Sequence, residues 1–386
     1  MNSDGRMLDV LVVGAGPAGS VAGTLLARAG ARVHIVDRSM FPRDKLCGDT
    51  VNPGTLALLR RLNMAAGIDA RGLPVAGMRV TGEGGVAIEG RYPDGVNGRA
   101  LLRRHLDWML LHDALAAGAQ FEPGLTARRA LVDGNRVMGA WVSGRQRGGE
   151  LRARVTIAAD GRRSTIAFGL GLARHPPRPR RWAIGAYVEN ATTSAPLSDL
   201  GEMHIRAGHY IGIAPVPGGL TNVCVVKPWR AGDPALGDPR AALMREVARD
   251  PSLRDRFAGA RLAGPPVVLG PLAVDVSGTR IDGLLLAGDA GGFIDPMTGD
   301  GLRFAVRGAE LAAQAALEAL EHGWAGVLER LAARRRAAFA AKWRFNRMLR
   351  VLVTSPAAIA GASWGARVAP AAFQAAIAYA GDVRYV

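Results

Sequence analysis

Asp9-Val10-Leu11-Val12-Val13-Gly14-Ala15-Gly16-Pro17-Ala18-Gly19 is the stretch on which the reading of the whole chain turns. A short apolar, mostly β-branched run enters a glycine-rich turn, and an Ala-, Leu- and Gly-rich helical pattern over 17–29 follows at once. Strand, G-x-G-x-x-G and helix in that order form a dinucleotide phosphate site. Gly14 permits the tight turn, Gly16 lets the backbone approach a pyrophosphate, and Gly19 lets the helix pack close to its strand. The helix N-terminus adds unpaired N–H groups and a partial positive charge. The next strand pattern, 31–37, ends on Asp37, roughly the 20-residue distance expected of a ribose-hydroxyl acceptor. The loop alone leaves open whether the dinucleotide is NAD or FAD.

With 386 residues, 49% of them hydrophobic, the chain can bury a large core and is long enough for two domains or one with a large insertion. The formal charge of +16 comes from scattered arginines; the only lysines are Lys45, Lys227 and Lys342. No basic-aromatic RNA motif or helix-turn-helix accompanies that charge, so no nucleic-acid partner is expected. Cys47 and Cys224 cannot form a disulfide framework, and neither belongs to a metal-spaced cluster. The N-terminus lacks a secretory pattern and no stretch of about 18 apolar residues occurs, so a cytoplasmic protein without a spanning helix is expected.

Along the chain, a charged, turn-rich loop follows Asp37 and leads into a helical pattern at 53–62. Short strands at 77–81 and 86–89 precede an amphipathic helix at 103–117, which ends at Gly118. Strands at 125–133 and 136–142 flank the hairpin signal Asp133-Gly134-Asn135. A buried strand then stops on Asp160-Gly161. Between 176 and 272 Pro and Gly multiply and strand-like alternation takes over. A last buried strand ends on Gly288-Asp289, and helices over 301–322 and 325–352 follow, with a tail punctuated by Pro356 and Pro370. The expected fold is α/β: a Rossmann-type domain (1–175 and 273–322), an inserted, mostly antiparallel β-sheet substrate domain (176–272), and a C-terminal helical segment (323–386).

Three dispersed motifs carry a resemblance. The chain, from Leu8 to about Ala316, resembles the flavoproteins that include class A aromatic hydroxylases of the p-hydroxybenzoate hydroxylase fold, flavin halogenases and geranylgeranyl reductases. Gly14, Gly16, Ala18 and Gly19 with Asp37 and Arg38 match the FAD adenosine end. Asp160-Gly161 matches the internal Asp-Gly motif, and Gly288-Asp289 through Pro296, Gly299, Gly301 and Leu302 matches the Gly-Asp…Pro…Gly-x-Gly motif. The resemblance implies FAD as cofactor, with Asp289 on ribityl hydroxyls and the loop after Pro296 at the pyrimidine edge, where N–H donors and a helix dipole favour the reduced flavin's charge. Arg103, four residues before Asp107, matches a family Arg-x-x-x-Asp that reaches the cofactor, with Arg104 as its register competitor.

Lys45-Leu46-Cys47-Gly48 fits the Lys/Arg-x-Cys-Gly of the geranylgeranyl reductase branch and places Cys47 and Gly48 on the flavin. Halogenases carry instead a Gly-Glu-Ser-type sequence, a Trp-x-Trp motif and an active-site lysine; here no Trp-x-Trp occurs, and Lys227 sits in no recognisable motif. The branch's aromatic Tyr-x-Trp-x-Phe-Pro is replaced by Tyr210-Ile211-Gly212-Ile213-Ala214-Pro215, which widens the pocket for a substrate bulkier than a thin prenyl chain. The resemblance implies a reductase that delivers hydride from flavin N5 to a carbon–carbon double bond of an apolar, prenyl-, lipid- or polyketide-like substrate, with Cys47 catalytic and the proton from solvent or from Tyr210. NAD(P)H is the implied electron donor. The alternative is an FAD monooxygenase hydroxylating an aromatic secondary metabolite through a flavin hydroperoxide. His204 and His209 are read as ordinary polar surface residues. The basic, aromatic-interleaved helix at 325–352 has the composition of a peripheral membrane contact.

Overall fold

Four parallel strands at the centre of the molecule carry the motif loops at their carboxyl ends. In this computed structural model, which describes residues 7–45, 47–145, 147–177, 181–191, 199–229, 231–294 and 296–383, Leu8–Val13 pairs with Val33–Asp37 on one side and Gly148–Ala158 on the other. Leu284–Leu286 pairs in turn with the end of Gly148–Ala158. Leu46 and Asp295, which belong to the sequence motifs, lie outside the described residues. The central strands are unbroken aliphatic runs because both faces of the sheet are covered; Val10, Leu11 and Val12 are fully buried. Helices Pro17–Arg28, Arg103–Ala116 and Gly301–His322 pack on one face. The hairpin Thr126–Asp133 and Arg136–Ser143, with the short helix Thr165–Gly169, covers the other.

A second sheet runs in the order Arg261–Leu262, Trp182–Glu189, Leu220–Lys227, His209–Val216, Leu200–Arg206, Gly77–Thr81 and Ala87–Arg91. Its alternation sends Ile184, Ile211, Val223 and Val225 onto the helix Pro239–Arg249. The opposite side chains, among them Ala183, Tyr210, Cys224 and Val226, turn towards the first domain. One part of this sheet departs from the division drawn from sequence. Strands Gly77–Thr81 and Ala87–Arg91, expected within the Rossmann-type portion, pair onto Leu200–Arg206, the first of them in parallel. Without them that strand would present a row of unpaired backbone groups as a sheet edge.

The chain ends in helices Val327–Thr354, Pro356–Val368 and Pro370–Ala380. Pro356 and Pro370 start helices instead of interrupting a tail, as suits a residue with fixed φ and no N–H. Among the described residues no helix is long and apolar enough to cross a membrane.

Candidate active site

The three motif loops leave neighbouring strands and converge at one end of the sheet, where ligands of open α/β folds bind. Gly14 has φ +102°, and a Cβ there would stand 2.5 Å from the Ala159 carbonyl oxygen, so the first two loops touch through backbone. A Cβ on Gly19 would overlap the Gly14 carbonyl. Gly16 caps the helix Pro17–Arg28 with no side-chain bond to its first N–H groups. Asp37 ends its strand with Oδ2 accepting from Ala15 N at 2.8 Å and Oδ1 from Ser39 N at 2.8 Å, which fixes the carboxylate beside the glycine loop. Arg38 is exposed.

A cleft of about 1080 Å³, its open mouth included, lies along these loops. Gly16 and Ala18 line it from the first motif and Gly161 from the second; Gly288, Asp289, Gly299, Gly301 and Leu302 line it from the third, and Cys47, Gly48 and Arg103 close it. Pro296 opens the short turn Pro296–Thr298. Asp160 is not among the lining residues: its Oδ2 accepts the Thr165 N–H at 2.8 Å, so it secures the turn that presents Gly161. Arg335, a basic-helix residue that sequence placed at the surface, donates at 2.8 Å to both Leu286 O and Gly291 O. It ties the third motif to its strand, and burial pushes its pKa down to about 10.

The cleft is built for an anion. Lys45, Arg103 and Arg162 line it, and burial lowers the pKa of Lys45 and of Arg162, each helped by a neighbouring arginine. Arg162 Nε is buried with no hydrogen-bond partner among the described residues. Arg103 holds Asp107 with two bonds of 2.8 and 3.0 Å, and Arg43 reaches the same carboxylate at 3.2 Å. Burial alone would weaken the Arg103 cation, but Asp107 and Cys47 hold its pKa above the usual range, the Cys47 sulfur by direct hydrogen bonding. Open helix N–H groups, the unpaired Arg162 Nε and a glycine cradle fit a dinucleotide pyrophosphate.

Beside Cys47 lies a cluster that the sequence did not single out. Asp49 is buried, with Oδ1 accepting from Arg103 N at 3.1 Å and Oδ2 from the Asn222 amide. Asn222 also donates to Cys47 O at 2.7 Å, and the Tyr187 hydroxyl bonds to Asp49. Burial pushes the Asp49 carboxyl up to about 6 against those hydrogen bonds and the Arg103 charge. Cys224 lines the same cleft, and burial pushes its thiol up to about 12. No local pattern marks Asp49, because its partners come from another helix and another sheet.

A second cavity, of about 1360 Å³ with its open mouth included, meets the first at Gly48, Thr50 and Gly299. Met78, Val80, Ile88, Met203, Ile205 and Gly212 face it from the sheet, and Phe345, Leu349, Phe373 and Ile377 from the C-terminal helices. Lys342, buried, holds those helices down: Nζ donates to Tyr379 O at 2.6 Å and Ala380 O at 3.1 Å and pairs with Asp300 and Asp382.

Residues 7–345 match the family model described as an FAD binding domain. The chain is 32% identical over 317 residues to a menaquinone reductase of Mycolicibacterium smegmatis, covering 79% of this chain and 75% of the relative. It is also 32% identical over 342 residues to digeranylgeranylglycerophospholipid reductase 1 of Methanopyrus kandleri, covering 81% of each. The chain belongs to the geranylgeranyl reductase family of FAD-dependent oxidoreductases. Its fold is shared by a geranylgeranyl bacteriochlorophyll reductase-like protein of Thermoplasma acidophilum (TM-score 0.79, 23% identity, 90% of this chain and 88% of that one). A flavin-dependent brominase shares it as well (TM-score 0.84, 20% identity, 97% and 94%).

Within this family member, two sequence expectations land elsewhere. Tyr210 is 2% exposed in a cluster with Ala183, Val226, Leu272 and Met297, and it lines neither cavity. Its place on the strand points it at the first domain, where it joins Leu272 and Met297 in one buried cluster. The basic helix turns part of itself to the domain: Arg330 and Arg334 pair with Glu318, Arg335 and Lys342 are drawn inward, and Phe339 packs edge-on to Phe304 at 5.1 Å. His204, expected at the surface, is 1% exposed instead: it bonds Thr81 Oγ1 at 2.8 Å and Glu202 at 3.0 Å, partners brought by a neighbouring strand and its own, which gives it a structural role.

Proposed function

We propose that this chain saturates a carbon–carbon double bond of an apolar, prenyl- or lipid-like substrate, with NAD(P)H as the electron source. The observation that carries the reading is the large apolar cavity opening onto the flavin cleft at Gly48, Thr50 and Gly299. Reduced FAD supplies a hydride when bound. The protein's own residues hold it with the glycine loop and Asp37, keep Arg103 and Cys47 at the cleft wall, and exclude water from the substrate side with the C-terminal helices. The two reductases of M. smegmatis and M. kandleri bear names of menaquinone and prenyl-glycerophospholipid substrates, which agrees with such a cavity.

Gly212 sets the cavity's width. A Cβ there would meet no atom closer than 3.9 Å. Gly212→Trp is therefore expected to keep FAD and linear prenyl alkenes while weakening binding of ring-bearing alkenes by ~10-fold or more, the scale of a lost hydrophobic contact. Equal binding of both classes by the variant and the parent, followed through the flavin absorbance, overturns the assignment of this cavity to substrate. The same width favours a second reading, the hydroxylation of an aromatic compound, which differs in requiring oxygen.

The reading extends to where the substrate resides. Arg344, Arg347, Met348, Val351, Trp364 and Val368 are exposed on the outer side of the helices whose inner side lines the cavity. No acidic residue occurs from 330 to 381. An anionic lipid surface fits that face.

A further inference from the structure

Every hydride added to one carbon of a double bond requires a proton at its neighbour. On the reductase reading, from which this inference starts, that proton has no source in Tyr210, which lines neither cavity. The segment between the cavities offers one. Gly48 and Thr50 line both, and Asp49 between them is turned inward at 1% exposure with φ +54°. A short polar residue such as aspartate accepts that left-handed backbone, which here turns the carboxyl inward.

The groups around its carboxyl come from three elements. The helix Arg103–Ala116 contributes the Arg103 N–H, at 3.1 Å, and the guanidinium. The sheet contributes the Asn222 amide, the Tyr187 hydroxyl and the Cys224 thiol. The loop itself contributes Cys47, whose carbonyl accepts from the same Asn222 and whose sulfur accepts from Arg103. The amide and the backbone N–H are fixed donors, whereas a hydroxyl can turn from donor to acceptor. Tyr187 is partly exposed, whereas the carboxyl it bonds is buried. Burial, then Asp49 and Cys47, push the Tyr187 hydroxyl's pKa above its usual range, which places both groups close to it.

We propose that Asp49, coupled to the Tyr187 hydroxyl, is the proton reservoir of the reaction and serves the cleft through the Cys47 thiol. Hydride from reduced FAD forms one C–H bond, and the π pair of the alkene takes the Cys47 proton to form the other. The thiolate left behind, held by Arg103, is reprotonated from Asp49, and Asp49 from solvent by way of Tyr187. Both electrons come from the flavin, which a nicotinamide or another two-electron carrier reduces again. Asp49 thus acts through Cys47. Protonated Asp49 prevails below its raised pKa of about 6 and is lost above it.

Asp49→Asn and Tyr187→Phe test this in FAD-loaded, anaerobically reduced enzyme; Asn tolerates the left-handed backbone. The parent should saturate a prenyl alkene at a rate that declines above an inflection near pH 6. D49N should be slower by about 10², the scale of lost acid–base assistance, and flat between roughly pH 5 and 8. Y187F, lacking a donor to the ionised carboxyl, should move the inflection upward. In flavin-free protein, ¹³C-aspartate NMR should show a carboxyl titrating near pH 6 that D49N removes and Y187F shifts upward. A D49N enzyme with the parent's rate and pH profile, or a parent without that carboxyl, overturns the proposal alone. A reduced parent that saturates no alkene overturns the reductase reading and the proposal with it.

Discussion

Asp49 and Glu202 are both buried carboxyls, and their surroundings drive them in opposite directions. Burial alone would raise Glu202, but His204 and the two bonds from Arg256, at 2.7 and 2.8 Å, bring it down to about 2. A lowered folded-state pKa adds stability above the unfolded value of 4.5 and loses it as pH falls from there towards 2. The shift corresponds to about 3 kcal/mol. Urea midpoints should therefore fall across that window in the parent, whereas Glu202→Gln should be less stable at neutral pH and fall less steeply within the window, where only the other lowered carboxylates, Asp9, Asp69, Glu122 and Asp199, still act. An identical slope in both would remove Glu202 as a stabilising anion. Asp49 has the reverse sign: its stability is full below 3.8 and lost as pH rises through about 6, so at neutral pH its ionised form costs the fold about 3 kcal/mol. A carboxyl that costs stability beside a cofactor cleft is the pattern of a group kept for chemistry.

At the scale of elements, what the sequence made legible was local. Strand, glycine loop, helix and closing Asp37 all lie within one short span, and the Asp-Gly and Gly-Asp turns each follow a buried strand, so pattern alone located the convergence of Gly14, Gly161 and Gly288. What it missed depends on pairing between distant segments. The hairpin of Gly77–Thr81 and Ala87–Arg91 reads as two ordinary short strands, and nothing local says that it completes the sheet of Leu200–Arg206. Tyr210 reads as the remnant of an aromatic motif, but its surroundings come from Leu272 and Met297, far along the chain. Arg335 looks like one more basic residue of a surface helix, and its burial against Leu286 O and Gly291 O is decided by how that helix docks.

At the scale of the molecule, two cavities meet at Gly48, Thr50 and Gly299, one carrying Lys45, Arg103 and Arg162, the other apolar and roofed by the C-terminal helices. The roof's outer side combines Arg344 and Arg347 with Met348, Val351, Trp364 and Val368. Co-flotation with anionic vesicles is expected, reduced by salt and by R344E/R347E. Equal recovery of the parent and the charge-reversed protein with anionic vesicles would place the membrane contact elsewhere or nowhere. The reduction itself can be tested directly. In a sealed anaerobic single turnover, FAD-loaded enzyme reduced beforehand is mixed with a prenyl alkene. Saturated product is expected in step with flavin reoxidation, one double bond for each flavin. Flavin that stays reduced until oxygen is admitted, and then yields a hydroxylated product, would contradict it.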